Sequence, residues 1–372
     1  MDYMLSVAVT FGLSALFTAF FIPQIIFVAF KKQLFDVVDE RKVHKGIVPR
    51  LGGVAFVPAV IISLALMLSN FDFFAGLTSM QFDFNLHSIL VLCAFGLLYV
   101  EGIADDVVGI GYKIKFLVQF SCAALIVASG VYVNDFSGLW GIGALPDFIS
   151  YPFSILLIVF IINAINLIDG IDGLSSGLSM IATSVFGFYF LMKHDFMYAL
   201  LSFAALGTLA SFFIYNVFGK AEHKNKIFMG DCGSQCIGLL LAVLGMRLMM
   251  PGDAAEGIMP LPNALVIFFT VLMIPGLDVL RVMGGRMLKH HNPFLPDKTH
   301  IHHLFLDLGL SHRKAMCSIL FTDLVFVGLN MLLIDTLNIN YILLIDIVLW
   351  ASVMLWLSWL MSRRESLVPI VK

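Results

Sequence analysis

The chain has 372 residues, 60% of them hydrophobic and only 13% charged, with mean hydropathy +0.97 and a net charge of −3. A water-soluble domain carries roughly a quarter charged residues, so a soluble globular protein is excluded and a polytopic membrane protein is expected. The near-neutral charge gives no reason to expect a nucleic-acid partner. Cys93, Cys122, Cys232, Cys236 and Cys317 lie in or beside apolar runs. They read as small packing residues and imply no disulfide framework.

Taken in order, the apolar runs are 4–30, 51–69, 88–104, 114–133, 151–167, 174–192, 197–218, 233–250, 262–282, 315–334 and 340–361. Runs of this length can cross the hydrocarbon core as helices, which satisfy their own backbone polar groups. No basic region precedes the first run, so a cleavable signal peptide is not expected there. The connections alternate in charge. The first holds Lys31, Lys32, Arg41, Lys42, Lys45 and Arg50, whereas Asn70 to His87 holds no Lys or Arg. Lys113 and Lys115 follow the third run, and Asn134 to Ser150 is again without basic residues. Basic residues recur after the seventh and ninth runs and in the tail, leaving Lys193 and Arg247 as the only ones on the opposite side. The positive-inside rule then places the N-terminus outside and the C-terminus in the cytoplasm. The expected fold is all-α: one transmembrane domain spanning 1–372, with about eleven membrane helices and a cleft on the cytoplasmic face.

Polar residues at the ends of these runs carry the functional signal. Asn166-Leu167-Ile168-Asp169-Gly170-Ile171-Asp172-Gly173 closes the fifth run. A carboxylate at the bilayer centre costs about 2.5–3.5 kcal/mol, so Asp169 and Asp172 belong at a membrane face in a polar cleft. Helical spacing sets Asn163, Asn166 and Asp169 on one face, a shape suited to a cation and a phosphate. Glu101, Asp105 and Asp106 end the third run. Of the adjacent pair, one is suited to hold a metal or its water while the other takes a proton. Asn216 precedes Lys226-Ile227-Phe228-Met229-Gly230-Asp231-Cys232-Gly233-Ser234, where Asp231 opens a helix as an oxygen ligand for a hard cation. Phe228 offers a ring to stack a base. Asn292 to His303 brings His300, His302 and His303 together, suited to donate to a phosphate. In the first connection, Asp39 to Lys45 leads to Pro49-Arg50-Leu51-Gly52-Gly53. Its basic cluster suits an anionic lipid or nucleotide. Lys45 is assigned to the nucleotide, and His44 with Lys113 to the lipid phosphate. The N–H groups of Gly52 and Gly53 are expected to face a phosphate at a helix start.

These blocks, in this order, resemble the polyprenyl-phosphate N-acetylhexosamine-1-phosphate transferases, integral membrane enzymes, from Asp39 to about Arg313. The His-Ile-His-His ending of the last block is similar to the WecA-type branch, which uses UDP-N-acetylglucosamine. The resemblance implies transfer of N-acetylhexosamine-1-phosphate from a UDP-sugar to polyprenyl phosphate, with release of UMP, at the inner face of the cell membrane. It implies Mg²⁺, with Mn²⁺ as an alternative, on Asn166 and Asp231. Asp105 or Asp106 takes the lipid-phosphate proton, and Asp172 joins them as a catalytic acid. Phe228, Asp169, Lys45 and Asn216 bind the nucleotide. His300, His302, His303 and Arg286 contact the pyrophosphate and sugar. One position departs: the strict third-run motif has a further Asp where this chain has Gly109. The apolar outer helices permit a homodimer.

Two rival readings predict other patterns. A transporter for an anionic solute wants acids at mid-membrane depth and two related halves, and no internal repeat is evident here. A zincin-type intramembrane protease wants His-Glu-x-x-His on a helix, which is missing.

Overall fold

The computed structural model describes residues 3–35, 47–69, 85–251, 263–290 and 299–367. Its helices follow the apolar runs. They are α1 (Tyr3–Lys32), α2 (Phe56–Met67, entered through a 3₁₀ turn Gly52–Ala55), α3 (Leu86–Val108), α4 (Tyr112–Ala128), α5 (Asp147–Ile168), α6 (Leu174–Lys193), α7 (Phe196–Phe213), α8 (Gly230–Met249), α9 (Ala264–Leu288), α10 (Ile301–Asp307), α11 (His312–Leu333) and α12 (Ile339–Leu367). Among the described residues, nine are long and apolar enough to cross a membrane. The expected second and fourth spans are represented by shorter helices, the 16-residue Gly52–Met67 stretch and the 17-residue α4.

The all-α expectation has one local exception. In the connection before α5, which holds no basic residue, β1 (Asp135–Leu139) and β2 (Ile142–Ala144) pair antiparallel, with Leu139 opposite Ile142. Trp140 and Gly141 form the two-residue link, both at positive φ, 48° and 82°. That is the backbone a tight hairpin needs to match strand twist.

Helix α8 is the axis of the bundle, buried on all sides from Cys232 to Met246. Helices α3, α5, α6 and α9 surround it. A helix that is apolar all round must lie inside its neighbours. Small residues let them approach. A side chain at Gly238 would run into the Ile162 backbone, and one at Gly102 into Cys232. Close backbone approach is how membrane helices gain packing energy when lipid is as apolar as they are. Both ends of α8 are tied. At the end of α8 remote from Asp231, buried Lys193 donates to the carbonyls of Arg247 (3.2 Å), Leu248 (3.1 Å) and Met250 (2.6 Å). Arg247 pairs with Asp195 at 2.8 Å. Lys193 and Arg247, the two exceptions to the charge pattern, are thus spent on a helix C-terminus and an ion pair.

Candidate active site

The other end of α8 collects the polar motifs. Asp106, on the last turns of α3, accepts the Asp231 N–H at 2.7 Å and the Cys232 N–H at 3.0 Å. It caps the first turn of α8, whose free N–H groups otherwise lack partners. Gly230, at φ 75°, makes the approach possible; a Cβ there would overlap the Asp106 carboxylate and the Arg50 carbonyl. The cap aims the Asp231 side chain at α5, where Asn166 Nδ2 donates to its Oδ1 at 2.6 Å and to Ser234 Oγ at 2.8 Å.

Asp105 points elsewhere. Its Oδ1 accepts the Ile110 N–H at 2.6 Å and its Oδ2 pairs with Lys115 Nζ at 2.5 Å. Lys115 also lies 3.6 Å from Asp231 Oδ1, and the Asp105 and Asp231 carboxyl groups approach each other beside it. The adjacent acids therefore divide their work: Asp106 holds backbone, while Asp105 and Asp231 share one ammonium. Gly109 caps α3 at φ 78° and ψ 117°, a backbone open to glycine and closed to the aspartate of the strict motif.

The loop after α5 meets the loop before α8 through Asn216. The Gly173 N–H donates to its Oδ1 at 2.7 Å, and its Nδ2 donates to the Ile227 carbonyl at 2.9 Å. Its amide holds the two loops together. Asp172 pairs with Lys226 at 2.5 Å, and Lys226 lies over the Phe228 ring at 5.8 Å from the centroid. Asp169 sits among Asp231, Asp172 and Asp106, with Arg50 as the opposing charge. The residue is partly exposed at the rim, yet its carboxyl group is enclosed; burial first, then the neighbouring acids, hold its pKa well above the ordinary carboxylate value.

The Gly52 and Gly53 expectation is corrected. Their N–H groups donate to the carbonyls of Phe228 (2.9 Å) and Met229 (2.8 Å), and the Phe228 N–H donates to the Pro49 carbonyl (2.9 Å). A strand-like ladder consumes the donors that were assigned to phosphate and fixes where Phe228 stands. His44 and Lys45 lie outside the described residues. Lys113 is exposed, and Lys115, one helical step inward, is the lysine that enters the acid cluster.

The histidines reach the site on α10. Asp278 of α9, fully buried, organises them. It accepts His300 Nδ1 at 2.9 Å, the Ile301 N–H at 3.0 Å and Arg281 Nη2 at 2.7 Å, while Arg281 also donates to the Thr299 carbonyl. The His302 ring packs where a side chain at Gly170 would be, so the histidine segment abuts the loop that follows Asn166. Burial lowers the His302 pKa to about 3, with the neighbouring His303 and His300 adding to the effect, so His302 is neutral. His303 lies beside it, ring centroids 4.2 Å apart. Arg286 is in the last turn of α9.

Sequence reasoning missed Lys115, Asp278 and Arg281. Asp278 was legible by the rule applied to Asp169, since a lone acid inside an apolar run needs a reason.

The comparisons now bear on this geometry. The family model described as Glycosyl transferase family 4 matches residues 87–249, which include Asp105, Asp106, Asn166, Asp172 and Asp231. A decaprenyl-phosphate N-acetylglucosaminephosphotransferase of Mycolicibacterium smegmatis is 31% identical over 292 residues, 74% of this chain and 70% of the relative. The chain belongs to glycosyl transferase family 4. Two further relatives of the family agree. The undecaprenyl-phosphate alpha-N-acetylglucosaminyl 1-phosphate transferase of Yersinia pestis is 30% identical, covering 77% of this chain and 73% of its own. A probable undecaprenyl-phosphate N-acetylglucosaminyl 1-phosphate transferase of Bacillus subtilis is 29% identical, covering 87% and 84%.

Proposed function

We propose that this chain transfers N-acetylglucosamine-1-phosphate from UDP-N-acetylglucosamine to polyprenyl phosphate, leaving polyprenyl-pyrophosphoryl-N-acetylglucosamine and UMP. The observation that carries the reading is the meeting of Asn166, Asp231, Asp105 and Lys115, from four helices, at the end of α8. Relatives named for this transfer support it. We take that end of the bundle to face the cytoplasm, as the basic connections argue.

The donor set suits Mg²⁺. Asn166 uses its NH₂ group toward Asp231 and Ser234, which leaves an amide oxygen. Two carboxyl groups, on Asp105 and Asp231, crowd together nearby. Among the described residues no three His, Cys, Asp or Glu side chains form a metal cage. Oxygen ligands in small number fit a cation that takes the rest of its shell from water and phosphate. When bound at Asn166 and Asp231, Mg²⁺ supplies charge neutralisation for the two anionic substrates.

The residues themselves divide the remaining work. Asp106 is held by the backbone N–H groups that open α8, whereas Asp105 Oδ2 is held by the side chain of Lys115. We assign Asp105 as the acid that accepts a proton from the lipid phosphate once that lysine turns to the phosphate. Lys115 beside it attracts that phosphate. A lipid-phosphate oxygen then attacks the sugar-bearing phosphorus. The P–O bond to the UMP phosphate breaks, and that oxygen leaves with the electron pair. We assign Phe228 and Asp169 to the uridine. Neutral His302, with His303 and Arg286, is assigned to the pyrophosphate and sugar as a hydrogen-bond donor. Phosphoryl transfer depends on positioning and charge more than on covalent chemistry. Purified protein given Mg²⁺, UDP-N-acetylglucosamine and polyprenyl phosphate tests the reading. It should release one UMP per lipid-linked sugar; no UMP above a no-lipid control would reject it.

A further inference from the structure

One turn deeper along each of the four helices that build the site stands a second polar residue. Glu101 lies four residues before Asp105 on α3, Gln119 four after Lys115 on α4, Asn163 three before Asn166 on α5, and Gln235 four after Asp231 on α8. Spacings of three and four put each pair on one helical face. Three members of this deeper tier are joined. Asn163 Nδ2 donates to Gln119 Oε1 at 2.7 Å, and Gln119 Nε2 donates to Gln235 Oε1 at 2.8 Å. The fourth is not. Glu101 is 6% exposed, and neither of its oxygens has a hydrogen-bond partner among the described residues. The Gln235 amide faces it without completing a hydrogen bond.

A buried carboxyl group with no partner is costly, and a hydrocarbon side chain of similar size would serve packing better. What surrounds it gives the reason. Lys115 is the basic group that acts on Glu101, and Asp105 and Asp231 are the acids that do. The Lys115 ammonium is thus at ion-pair distance from Asp105 and Asp231 and acts on Glu101 at longer range. Asp105 and Asp231 hold that ammonium from above, at 2.5 and 3.6 Å. Glu101 pulls on it from the membrane side. We propose that Glu101 is a positioning residue for the transfer, acting through Lys115. Without the pull from below, the flexible lysine stem follows Asp105 outward and leaves the space between the two acids. The hydrogen-bonded row of Asn163, Gln119 and Gln235 keeps the four helices in the register that puts Glu101 under Lys115.

The inference rests on the proposed transfer, and the test separates the two. The variants are Glu101→Gln, Lys115→Met and the double variant, with kcat and KM for UDP-N-acetylglucosamine measured from UMP release. Wild-type protein that releases no UMP overturns the proposed function and this inference with it. If wild type turns over, Glu101→Gln should lower kcat about 10-fold and leave that KM within about twofold. In the Lys115→Met background the same change should then have no further effect, because a residue acting through Lys115 has nothing left to act on. A Glu101→Gln protein with wild-type kcat, or losses that multiply in the double variant, would overturn the proposal while leaving the transfer intact. Glu101→Gln is isosteric and keeps a polar group at the buried position, so it should fold. Should it fail to, Gln119→Leu reads the same tier. It breaks the row that aligns Glu101 under Lys115, and it should lower kcat in wild type but not in Lys115→Met; equal losses in both would overturn the proposal.

Discussion

Replacing Asp106 separates a residue that acts on substrate from one that builds the site. In the structure its two carboxylate oxygens accept the N–H groups of Asp231 and Cys232, at 2.7 and 3.0 Å. Hydrogen bonds to a charged group contribute about 1.5–3 kcal/mol each. Loss of a helix cap costs about 0.5–2 kcal/mol. Asp106→Ala removes both acceptors and leaves the N–H of the buried Cys232 without one, so an overall loss of ~2–4 kcal/mol is expected. Asp106→Asn keeps one oxygen and turns an NH₂ group toward the other donor, so about half that loss is expected. Activity should fall as well, because the cap aims Asp231 at Asn166. A misplacement near 1 Å is worth about 100-fold in rate. Thermal unfolding of the purified variants, run beside UMP release, reads both effects. The reasoning is refuted if Asp106→Asn melts with wild type yet is inactive, since that is the behaviour of a proton acceptor.

The other expectations are as follows. Lys193→Met removes three hydrogen bonds from the far end of α8 and should cost ~1–3 kcal/mol in stability with kcat within twofold of wild type; a large kcat loss would connect that end to catalysis. Gly170→Ala puts a methyl group into the His302 ring. It should lower kcat/KM about 100-fold with little change in melting temperature, whereas near-wild-type turnover would detach His302 from the site. Acidification should destabilise the protein through His302, whose folded pKa of about 3 lies below the ordinary 6.5. The unfolded chain binds that proton first, so this part of the stability is present above pH 6.5 and is lost progressively toward pH 3, at no more than ~1.4 kcal/mol per pH unit. His302→Asn should flatten the melting-temperature profile over that window; an unchanged profile would show that His302 is not buried neutral.

Much of this was legible in the chain, for one physical reason. Asn166, Asp169 and Asp231 stand at the ends of apolar runs, where polar atoms are costly enough to demand an explanation. Their convergence followed from the alternation of basic and neutral connections, which sent them to one side. The division of labour between Asp105 and Asp106 was not legible. Neighbours in sequence point apart on a helix, and only the packing of α3 against the start of α8 decides which of them meets backbone. Lys115 was hidden among lysines that topology alone accounts for. Gly52 and Gly53 misled because their donors looked free at a helix start, while a strand-like pairing with Phe228 and Met229, distant in sequence, takes them up. The hairpin at 135–144 escaped because its run offered no basic residue to interpret, although Trp140 and Gly141 carry its turn.

The most direct measurement compares Asp231→Asn and Asn166→Ala with wild type in Mg²⁺ titrations of UMP release, at saturating UDP-N-acetylglucosamine and polyprenyl phosphate. If one cation is held jointly by α5 and α8, both variants should fold, lose about 100-fold or more in turnover and need more Mg²⁺ for what remains. Variants that keep wild-type turnover at the wild-type Mg²⁺ requirement would contradict the account at its centre.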